Sequence, residues 1–383
     1  MESVDNIAEV VRVLRVETHP NADRLDLVYI RGWQVVARKG EHKAGDLCVY
    51  IPIDSVLPHD LEEELFPADS KIKLTKSRVR TIKIRGAISQ GMILPTRDAA
   101  VTRRIEDPIE GMDVTGMLGI THYEPPDTGS PQQGATQGVS RKRNTFFKEY
   151  SKMGHFKNYP DLFSEGEQVI VTEKIHGTNF RAGWVPCIAD SWWKKVKAFF
   201  HLLPEWEFLY GSHHVQYTPS KKFSGYYKTN VYKEAVEKYG LEARIPKGFV
   251  AYGEIYGSGI QKGYDYGLPE GERRLAMFDV LVTTTGGEQR WLDWEGVKAM
   301  SEASQVPTVP VVFEGEWDAS KVPAWESGPS LVGHKSLITM KWSQEHREGI
   351  VVKPRIEQQT WVGRKMLRSI NPEYSMVAES DFH

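Results

Sequence analysis

The amino-acid sequence predicts an α+β protein of two domains joined by a linker. Its 383 residues exceed the usual size of a single domain. The first part contains short apolar runs, such as residues 11–16 and 33–37, that are separated by glycine-rich turns. This pattern is typical of a small barrel or sandwich. The second part mixes strand-like runs with stretches that have helical spacing.

A segment rich in proline, glycine and glutamine marks the boundary between the two parts. Residues 122–140 have no hydrophobic period and contain Pro125, Pro126, Gly129, Pro131, Gly134 and Gly138. Such composition favours a flexible connection over a packed element. We therefore expect a first domain over residues 1–120, a linker over 121–143 and a second domain over 144–383.

Composition excludes several classes of protein. The chain is 40% hydrophobic and 26% charged, which is a globular balance rather than a disordered one. Cys48 and Cys187 are the only cysteines, too few for a zinc site or a disulfide framework. The polar N-terminus has no signal-peptide pattern, and no apolar run could span a bilayer. We expect an intracellular, cytoplasmic protein, with a nuclear or phage-encoded one left open.

One lysine stands where an apolar strand is expected to end. Residues 168–173 read as a strand, and Lys174 follows and leads into a turn at Gly177. A lysine there lies at the mouth of a cavity, and its amine is a nucleophile only if cations or desolvation lower its pKa. Taken alone, the segment more often marks a solvated lysine at the edge of a strand.

Five short motifs resemble those of ATP-dependent RNA ligases. The run Lys-Ile-His-Gly-Thr-Asn that begins at Lys174 resembles motif I, in the form seen in the phage RNA-editing type. Motifs III, IIIa, IV and V have counterparts in the same order, at residues 253–257, 278–279, 348–353 and 364–368. Five motifs in the family's order make the match specific over residues 156 to 374. It implies a nucleotidyltransferase domain of antiparallel sheets and helices, with ATP between the sheets.

The resemblance also implies roles for individual residues. Lys174 is expected to take AMP from ATP, while Glu254 and Glu348 supply carboxylates for Mg²⁺ or Mn²⁺. Charge that develops on the phosphate oxygens is expected to be balanced by the metal and by basic side chains. The expected nucleotide-binding residues are Glu173, His176, Asn179, Glu254, Phe278, Glu348, Lys353, Lys365 and Arg368.

Several of these positions keep a second interpretation. Phe278 fits a ring stacked on adenine, or a core phenylalanine of an alternating strand. His176 either positions a phosphate or closes the turn. His213 falls where the family has a basic residue, arginine in many members. We do not expect His213 and His214 to bind metal, since adjacent residues on a strand point to opposite faces.

The N-terminal part is similar to the OB-fold module that precedes the catalytic domain in the Deinococcus and Naegleria kind of RNA ligase. The similarity rests on residues 21–25, 32–36, 45–46 and 50–52. Residues 71–85 carry seven basic residues and no acidic one. We expect a sequence-tolerant contact with a nucleic-acid backbone through this stretch, although a solvated strand face would look the same. The predicted contacts are Arg78, Arg80, Lys83 and Arg85.

Together these features predict an ATP-dependent RNA ligase. It would join 3′-OH and 5′-phosphate RNA ends, possibly at nicks in a duplex, through lysyl-AMP and AMP-RNA intermediates, as a monomeric repair enzyme with no membrane association. A DNA ligase or a GTP-using capping enzyme is less consistent with His176, with Asn179 and with an OB module that precedes the catalytic domain. A non-enzymatic OB-type binder is disfavoured because every reactive position keeps a competent residue.

One amphipathic stretch has two interpretations of its own. Residues 192–203 alternate aromatic and lysine side chains at helical spacing. Such a helix either lies on a membrane surface or packs one face on the protein core, and we expect the second.

Overall fold

The structure is a computed structural model that describes residues 8–67, 70, 73–123, 144–189, 192–200, 202, 204–217, 229–284, 286–333 and 343–377. The described chain forms two compact units. The N-terminal unit holds residues 8–123, 154–162 and those from 372 onward. The catalytic unit, named for the site that it contains, holds residues 144–153 and 163–371. The predicted linker lies outside the described residues from position 124 on, and its first two residues form a strand.

Short strands dominate the N-terminal unit. Its elements up to residue 122 are β1 (Glu9–Arg12), β2 (Arg15–Thr18), β3 (Leu25–Ile30), β4 (Trp33–Arg38), β5 (Leu47–Ile51), β6 (Ser55–Val56), α1 (His59–Leu65), β7 (Thr81–Ile84), β8 (Ala87–Gln90), β9 (Met92–Pro95), α2 (Ala99–Thr102) and β10 (Thr121–His122). Further along the chain, β11 (Gly154–His155) and a 3-10 helix (Phe156–Asn158) also belong to it.

The strands of this unit separate two hydrophobic cores. One antiparallel sheet has the order β1-β5-β9 and another has the order β2-β3-β4. Along β5, Val49 and Ile51 enter one core while Cys48 and Tyr50 enter the other, because successive side chains of a strand point to opposite faces. Both faces are therefore buried. The described strands form separate sheets and do not close into the barrel that the sequence predicts.

A hairpin of β7 and β8 presents the end of the basic stretch. Its two turn residues, Arg85 and Gly86, both have positive φ angles, of 49° and 93°, as a tight two-residue hairpin turn requires. The side chain of Asn21 donates a 3.1 Å hydrogen bond to the Arg85 carbonyl, and His19 lies 3.0 Å from the Ile84 carbonyl. The loop after β2 thus supports the turn that exposes Arg85.

The catalytic unit combines two antiparallel sheets with short helices. Its elements are β12 (Gln168–Lys174), β13 (Thr178–Pro186), α3 (Trp192–Phe199), β14 (Trp206–Gly211), β15 (Gln216–Tyr217), α4 (Val231–Tyr239), α5 (Leu241–Arg244), β16 (Phe249–Gly257), β17 (Arg273–Thr283), β18 (Gln289–Trp291), α6 (Trp294–Ser304), β19 (Val311–Glu316), a 3-10 helix (Ala319–Lys321), α7 (Val322–Glu326), β20 (Gly349–Pro354), β21 (Gln359–Thr360), β22 (Gly363–Arg364) and β23 (Leu367–Ile370). A last helix, α8 (Pro372–Val377), belongs to the N-terminal unit.

The two sheets of the catalytic unit are joined by the turn that follows Lys174. One sheet has the order β15-β14-β13-β16-β17-β18, and the other contains β23, β20, β12 and β19 side by side. The turn between β12 and β13 carries the chain from the second sheet to the first. A Cβ at Gly177 in this turn would collide with the Ile255 carbonyl oxygen, so the close approach of the turn to β16 needs glycine.

Helix α3 departs from the expected packing. Its helical form is confirmed, but Trp192 is 66% exposed and Phe199 is 78% exposed. The neighbouring Phe200 and Leu202 are exposed as well. The prediction that this apolar face packs on the core is therefore wrong for the described side chains. No described helix is long and apolar enough to cross a membrane.

Candidate active site

Strand pairing brings Lys174 and Glu348 together across 174 positions of sequence. Lys174 is the last residue of β12, and it lies opposite Gly349 in the antiparallel pairing with β20. Glu348 immediately precedes Gly349, and its carboxylate forms an ion pair with the Lys174 amine. The Lys174 side chain is 26% exposed, whereas that of Glu348 is 6% exposed. The amine thus lies at an open rim above a buried carboxylate.

The second sheet contributes Asn179 and Glu254 from adjacent strands. The two residues lie opposite each other in the pairing of β13 with β16. Burial is the main cause that raises the pKa of Glu254 to about 8; the charge of Lys174 opposes this shift and that of Glu348 adds to it. Within the described chain, the buried Asn179 Oδ1 and Glu348 Oε2 have no hydrogen-bond partner. Unpaired buried oxygens are costly, which favours a bound group that they contact.

A pocket of about 320 Å³ connects these residues. That volume lies within the usual range for small-ligand sites. The pocket wall brings together most of the residues predicted from the sequence. Those that line it are Glu173, Lys174, Asn179, Glu254, Phe278, Lys353 and Arg368, together with His213.

Phe278 lies at the pocket and at the core, and its stacking on adenine stays a prediction. It lines the pocket, and it also packs against the core cluster between the sheets. The edge of its ring meets the ring of Tyr150 at a centroid distance of 4.8 Å. Tyr150 also lines the pocket, and the sequence analysis missed it. It precedes the first motif and stands in no recognisable pattern, so only its position in the fold reveals it.

Behind the pocket lies a buried network of charges centred on Asp279. The Lys353 amine is 2.8 Å from Asp279 Oδ2 and 2.7 Å from the Phe278 carbonyl oxygen. The Arg364 guanidinium is 2.8 Å from the same Asp279 oxygen and 2.7 Å from Glu357. Burial alone would raise the pKa of Asp279, but the two cations hold it below its usual value. Lys353 therefore reaches the pocket from an anchored position.

Two of the residues predicted to bind the nucleotide are in contact with other groups of the protein. The Glu173 carboxylate accepts hydrogen bonds from Ser330 Oγ at 2.5 Å and from the Leu331 amide at 2.7 Å. Since Glu173 and Lys174 are adjacent on β12, their side chains leave opposite faces. The Lys365 amine is 2.8 Å from Glu167, and Lys365 is not among the residues that line the pocket. Their nucleotide contacts stay predictions.

His176 is held firmly in the turn after Lys174. Its amide donates a 2.8 Å hydrogen bond to the Tyr266 hydroxyl, and its ring packs edge-on against Tyr264 at 4.9 Å. Burial, together with the charge of Lys174, lowers the pKa of His176 to about 3. The ring is therefore neutral at physiological pH and contributes shape and hydrogen bonding rather than charge.

Comparison with known families decides the class of the protein. Residues 167–367, which hold every residue of the site described above except Tyr150 and Arg368, match the profile of the RNA ligase family. The chain belongs to the RNA ligase family. Residues 7–96 of this ligase match the profile of an OB-fold domain, which confirms the predicted order of modules. No curated protein sequence matches the ligase.

Solved structures of similar fold come from an RNA ligase of Naegleria gruberi. A Naegleria gruberi RNA ligase mutant with ATP and Mn superposes on this ligase with a TM-score of 0.71 at 22% sequence identity, covering 96% of this chain and 98% of that one. The same Naegleria enzyme with PPi gives a TM-score of 0.68 at 22% identity, covering 97% and 98%. The likeness shows that both modules of this ligase share the fold of that enzyme.

The position of His213 and His214 corrects one argument from the sequence. Strand β14 ends at Gly211, and the two histidines follow it in a bend. The alternation of a strand therefore does not apply to them. Their donor atoms, together with a carboxylate oxygen of Glu149, all lie within 4.8 Å of one another. The reason for excluding a metal site at this pair was wrong.

The predicted nucleic-acid contacts in the N-terminal unit divide into two groups. Arg78 is 2% exposed, and its guanidinium donates hydrogen bonds of 2.9 Å and 2.6 Å to Asp54. It also stacks on the ring of Tyr123 at 3.8 Å. This burial contradicts the expectation that Arg78 contacts nucleic acid. Lys83 and Arg85 are exposed on the β7–β8 hairpin, while Arg80 is half-buried.

Proposed function

We propose that this ligase uses ATP to join the 3′-OH and 5′-phosphate ends of RNA, with Lys174 as the nucleophile. The observation that carries the proposal is the Lys174 amine at the rim of the 320 Å³ pocket, in contact with the buried Glu348 and near Glu254. The Naegleria gruberi ligase, whose fold this chain shares over 98% of that chain, has been solved with ATP and with AMP, each with Mn. These complexes support a nucleotide and a divalent ion at the corresponding pocket here.

The donors in the pocket fit Mg²⁺ or Mn²⁺. Both ions prefer oxygen ligands, and Mg²⁺ usually keeps several waters. Glu254 and Glu348 supply carboxyl groups, and the lack of a hydrogen-bond partner for Glu348 Oε2 within the described residues supports its use as a ligand. When bound, the ion stabilises negative charge on the phosphate oxygens of ATP. Glu254 and Glu348 are the residues proposed to hold it.

The first step transfers AMP to the protein. The neutral amine of Lys174 attacks the α-phosphorus of ATP, a nitrogen–phosphorus bond forms, and the bond to pyrophosphate breaks. Glu348 is in contact with this amine and is placed to take the proton that the amine loses. Phe278 offers a face for adenine, and Lys353 and Arg368 bring positive charge to the pocket wall.

The later steps transfer AMP to RNA and then release it. An oxygen of the RNA 5′-phosphate attacks the lysyl-AMP phosphorus, which frees Lys174 and forms AMP-RNA. The 3′-OH then attacks the activated 5′-phosphorus, forms the phosphodiester bond and expels AMP. Lys83 and Arg85 are exposed on a supported hairpin, and we assign them to the RNA backbone.

We further propose that the enzyme acts in RNA repair inside the cell, in the cytoplasm and as a monomer. Cys48 and Cys187 are both free thiols, which suits a reducing compartment. Light scattering of the purified protein tests the monomer, and a mass of two chains would contradict it.

Label transfer tests the proposed chemistry. Purified protein is mixed with α-labelled ATP or GTP and Mg²⁺ or Mn²⁺, denatured, and examined for bound label. It is then chased with nicked RNA or nicked DNA that carries a 5′-phosphate. We expect label from ATP that RNA discharges. Label from GTP would indicate capping chemistry, discharge by DNA alone would indicate a DNA ligase, and no label would overturn the proposal.

The variant Lys174→Arg is the matched control for the nucleophile. Arginine keeps a positive charge beside Glu348 but cannot lose its proton in a protein. We therefore expect a folded protein that retains no label. Label in this variant would show that another residue carries the AMP.

A further inference from the structure

Three side chains with metal-binding chemistry meet at the rim of the pocket. Glu149, His213 and His214 each offer one donor atom, and these atoms all lie within 4.8 Å of one another. His214 Nδ1 is 3.3 Å from Glu149 Oε2, and the two imidazole rings meet at 4.3 Å with an interplanar angle of 83°. In the described chain this is the one group of three or more such donors.

A buried arginine holds the two segments that carry these side chains. Arg181, on β13, donates a 2.6 Å hydrogen bond to the Phe147 carbonyl and a 3.0 Å hydrogen bond to the Ser212 carbonyl. These carbonyls belong to the residues two before Glu149 and one before His213. Arg181 is 1% exposed, so its geometry is set by the core. The two backbone segments that carry the three donors are therefore held together by a buried side chain.

The donor set selects the class of metal. Imidazole nitrogen suits borderline ions such as Zn²⁺, whereas Mg²⁺ prefers oxygen donors alone. Donors around a tetrahedral Zn²⁺, at about 2.0–2.2 Å from the ion, lie about 3.4 Å apart. The three donor atoms lie within 4.8 Å of one another and have to approach to that spacing when a metal binds, and the exposed His214 side chain has room to rotate.

We propose that Glu149, His213 and His214 form a second metal site for a borderline divalent ion such as Zn²⁺. It is separate from the site assigned to Glu254 and Glu348. Three protein ligands leave a coordination position open. His213 lines the pocket, so the ion adds positive charge to the pocket wall, where an anionic oxygen can take the open position.

Zinc binding by the full chain tests this site directly and does not depend on ligase activity. Metal is first removed from the protein with a chelator. The protein is then dialysed against Zn²⁺, and the bound metal is measured by inductively coupled plasma mass spectrometry. We expect a single Zn²⁺ per chain. The variants His214→Ala and Glu149→Gln are expected to weaken binding by at least about 100-fold, the upper end of the effect of losing an outer-shell partner.

The chain offers a matched control in the N-terminal unit. His59 Nδ1 is also 3.3 Å from a glutamate oxygen, that of Glu63, on exposed helix α1. This pair belongs to no group of three donors within the described residues. His59→Ala should therefore keep full zinc binding. Equal binding by the wild type and by His214→Ala would overturn the proposal, as would the absence of binding by the wild type.

Cobalt gives a readout that needs no variant. Co²⁺ added to the wild-type chain should produce intense visible absorption bands, because four-coordinate Co²⁺ with imidazole ligands absorbs strongly. A spectrum no stronger than that of hydrated Co²⁺ would overturn the proposal even if the variants fail to fold.

Discussion

The acidic side chains at the two ends of the pocket differ in how fully nearby cations balance their charge. Behind the pocket, Asp279 is in contact with both Lys353 and Arg364. At the front, Glu254 and Glu348 share a single cation, Lys174, and Glu348 Oε2 has no hydrogen-bond partner in the described chain. Accordingly, the cations lower the pKa of Asp279, whereas burial raises that of Glu254 to about 8.

This difference distinguishes charged groups that stabilise the fold from charged groups that are available to a ligand. A buried ion that is matched by partners stays in place, whereas a buried ion without enough partners costs free energy until something binds. The network at Asp279 therefore anchors the pocket wall. The carboxyl groups near Lys174 have fewer partners, as expected if a cation and a nucleotide complete the site as proposed.

The largest expected effect is a loss of stability when Asp279 no longer balances the charges of Lys353 and Arg364. Asp279→Asn leaves Lys353 and Arg364 buried with too little negative charge, and we expect unfolding free energy to fall by about 3–5 kcal/mol. In the wild type this contribution is present above the ordinary aspartate pKa of about 3.9 and is lost as the pH falls through the lower folded-state pKa. Urea denaturation at several pH values measures both effects.

An exposed carboxylate provides the control for Asp279. Glu295 pairs with Lys298 and Arg355 on the surface, and Glu295→Gln should change the unfolding free energy far less, because exposed ion pairs contribute little. If the two variants were equally stable, the network behind the pocket would not anchor it.

The second prediction concerns the front of the pocket. Glu348→Gln keeps the shape of the side chain but removes a proton acceptor and a metal ligand. We expect the rate of label transfer from ATP to fall by at least about 100-fold, the scale of losing one preorganised group at a reacting centre. Stability should change little, because the wild-type carboxylate is undercompensated. If Glu348→Gln were strongly destabilised but transferred label normally, Glu348 would have a structural role rather than a role in the reaction.

A smaller effect is expected at the aromatic wall. Phe278→Leu keeps an apolar side chain but removes the ring face. We expect the KM for ATP in label transfer to rise about fivefold, which corresponds to roughly 1 kcal/mol for an aromatic contact. Phe199→Leu, on exposed helix α3, is the control. An unchanged KM in Phe278→Leu would assign Phe278 to the core alone.

The N-terminal unit repeats the same division between matched and exposed charge. Arg78 is matched by Asp54, while Lys83 and Arg85 are exposed. In the double variant Lys83→Thr and Arg85→Asn, asparagine tolerates the positive φ at position 85. We expect weaker RNA binding and a salt dependence whose slope falls by about 1–2, with label transfer unchanged.

A paired surface arginine provides the control for the hairpin. Arg103→Ser removes a cation that is already in contact with Glu64, and it should leave the salt dependence unaltered. An equal loss of slope in both proteins would mean that the hairpin has no special role.

The motif residues were predictable from the sequence because each stands next to a recognisable strand or turn. Lys174, Glu254 and Phe278 carry their own local signals. Tyr150 and Glu357 do not, since they meet Phe278 and Arg364 only after the sheets assemble. The exposed apolar face of α3 was missed for a related reason, because periodicity identifies an apolar face but not what covers it.

By itself, the sequence determined the module order and the class of enzyme and predicted the nucleophile, because short motifs and apolar periodicity are local properties. Only the tertiary structure decided which charged side chains are buried and paired with other groups of the protein. It buried Arg78 against Asp54, turned Glu173 toward Ser330, and placed Glu149 beside two histidines that lie beyond the end of a strand. A side chain's partner depends on strand register and on burial, and neither can be read from the identity of its neighbours in the chain.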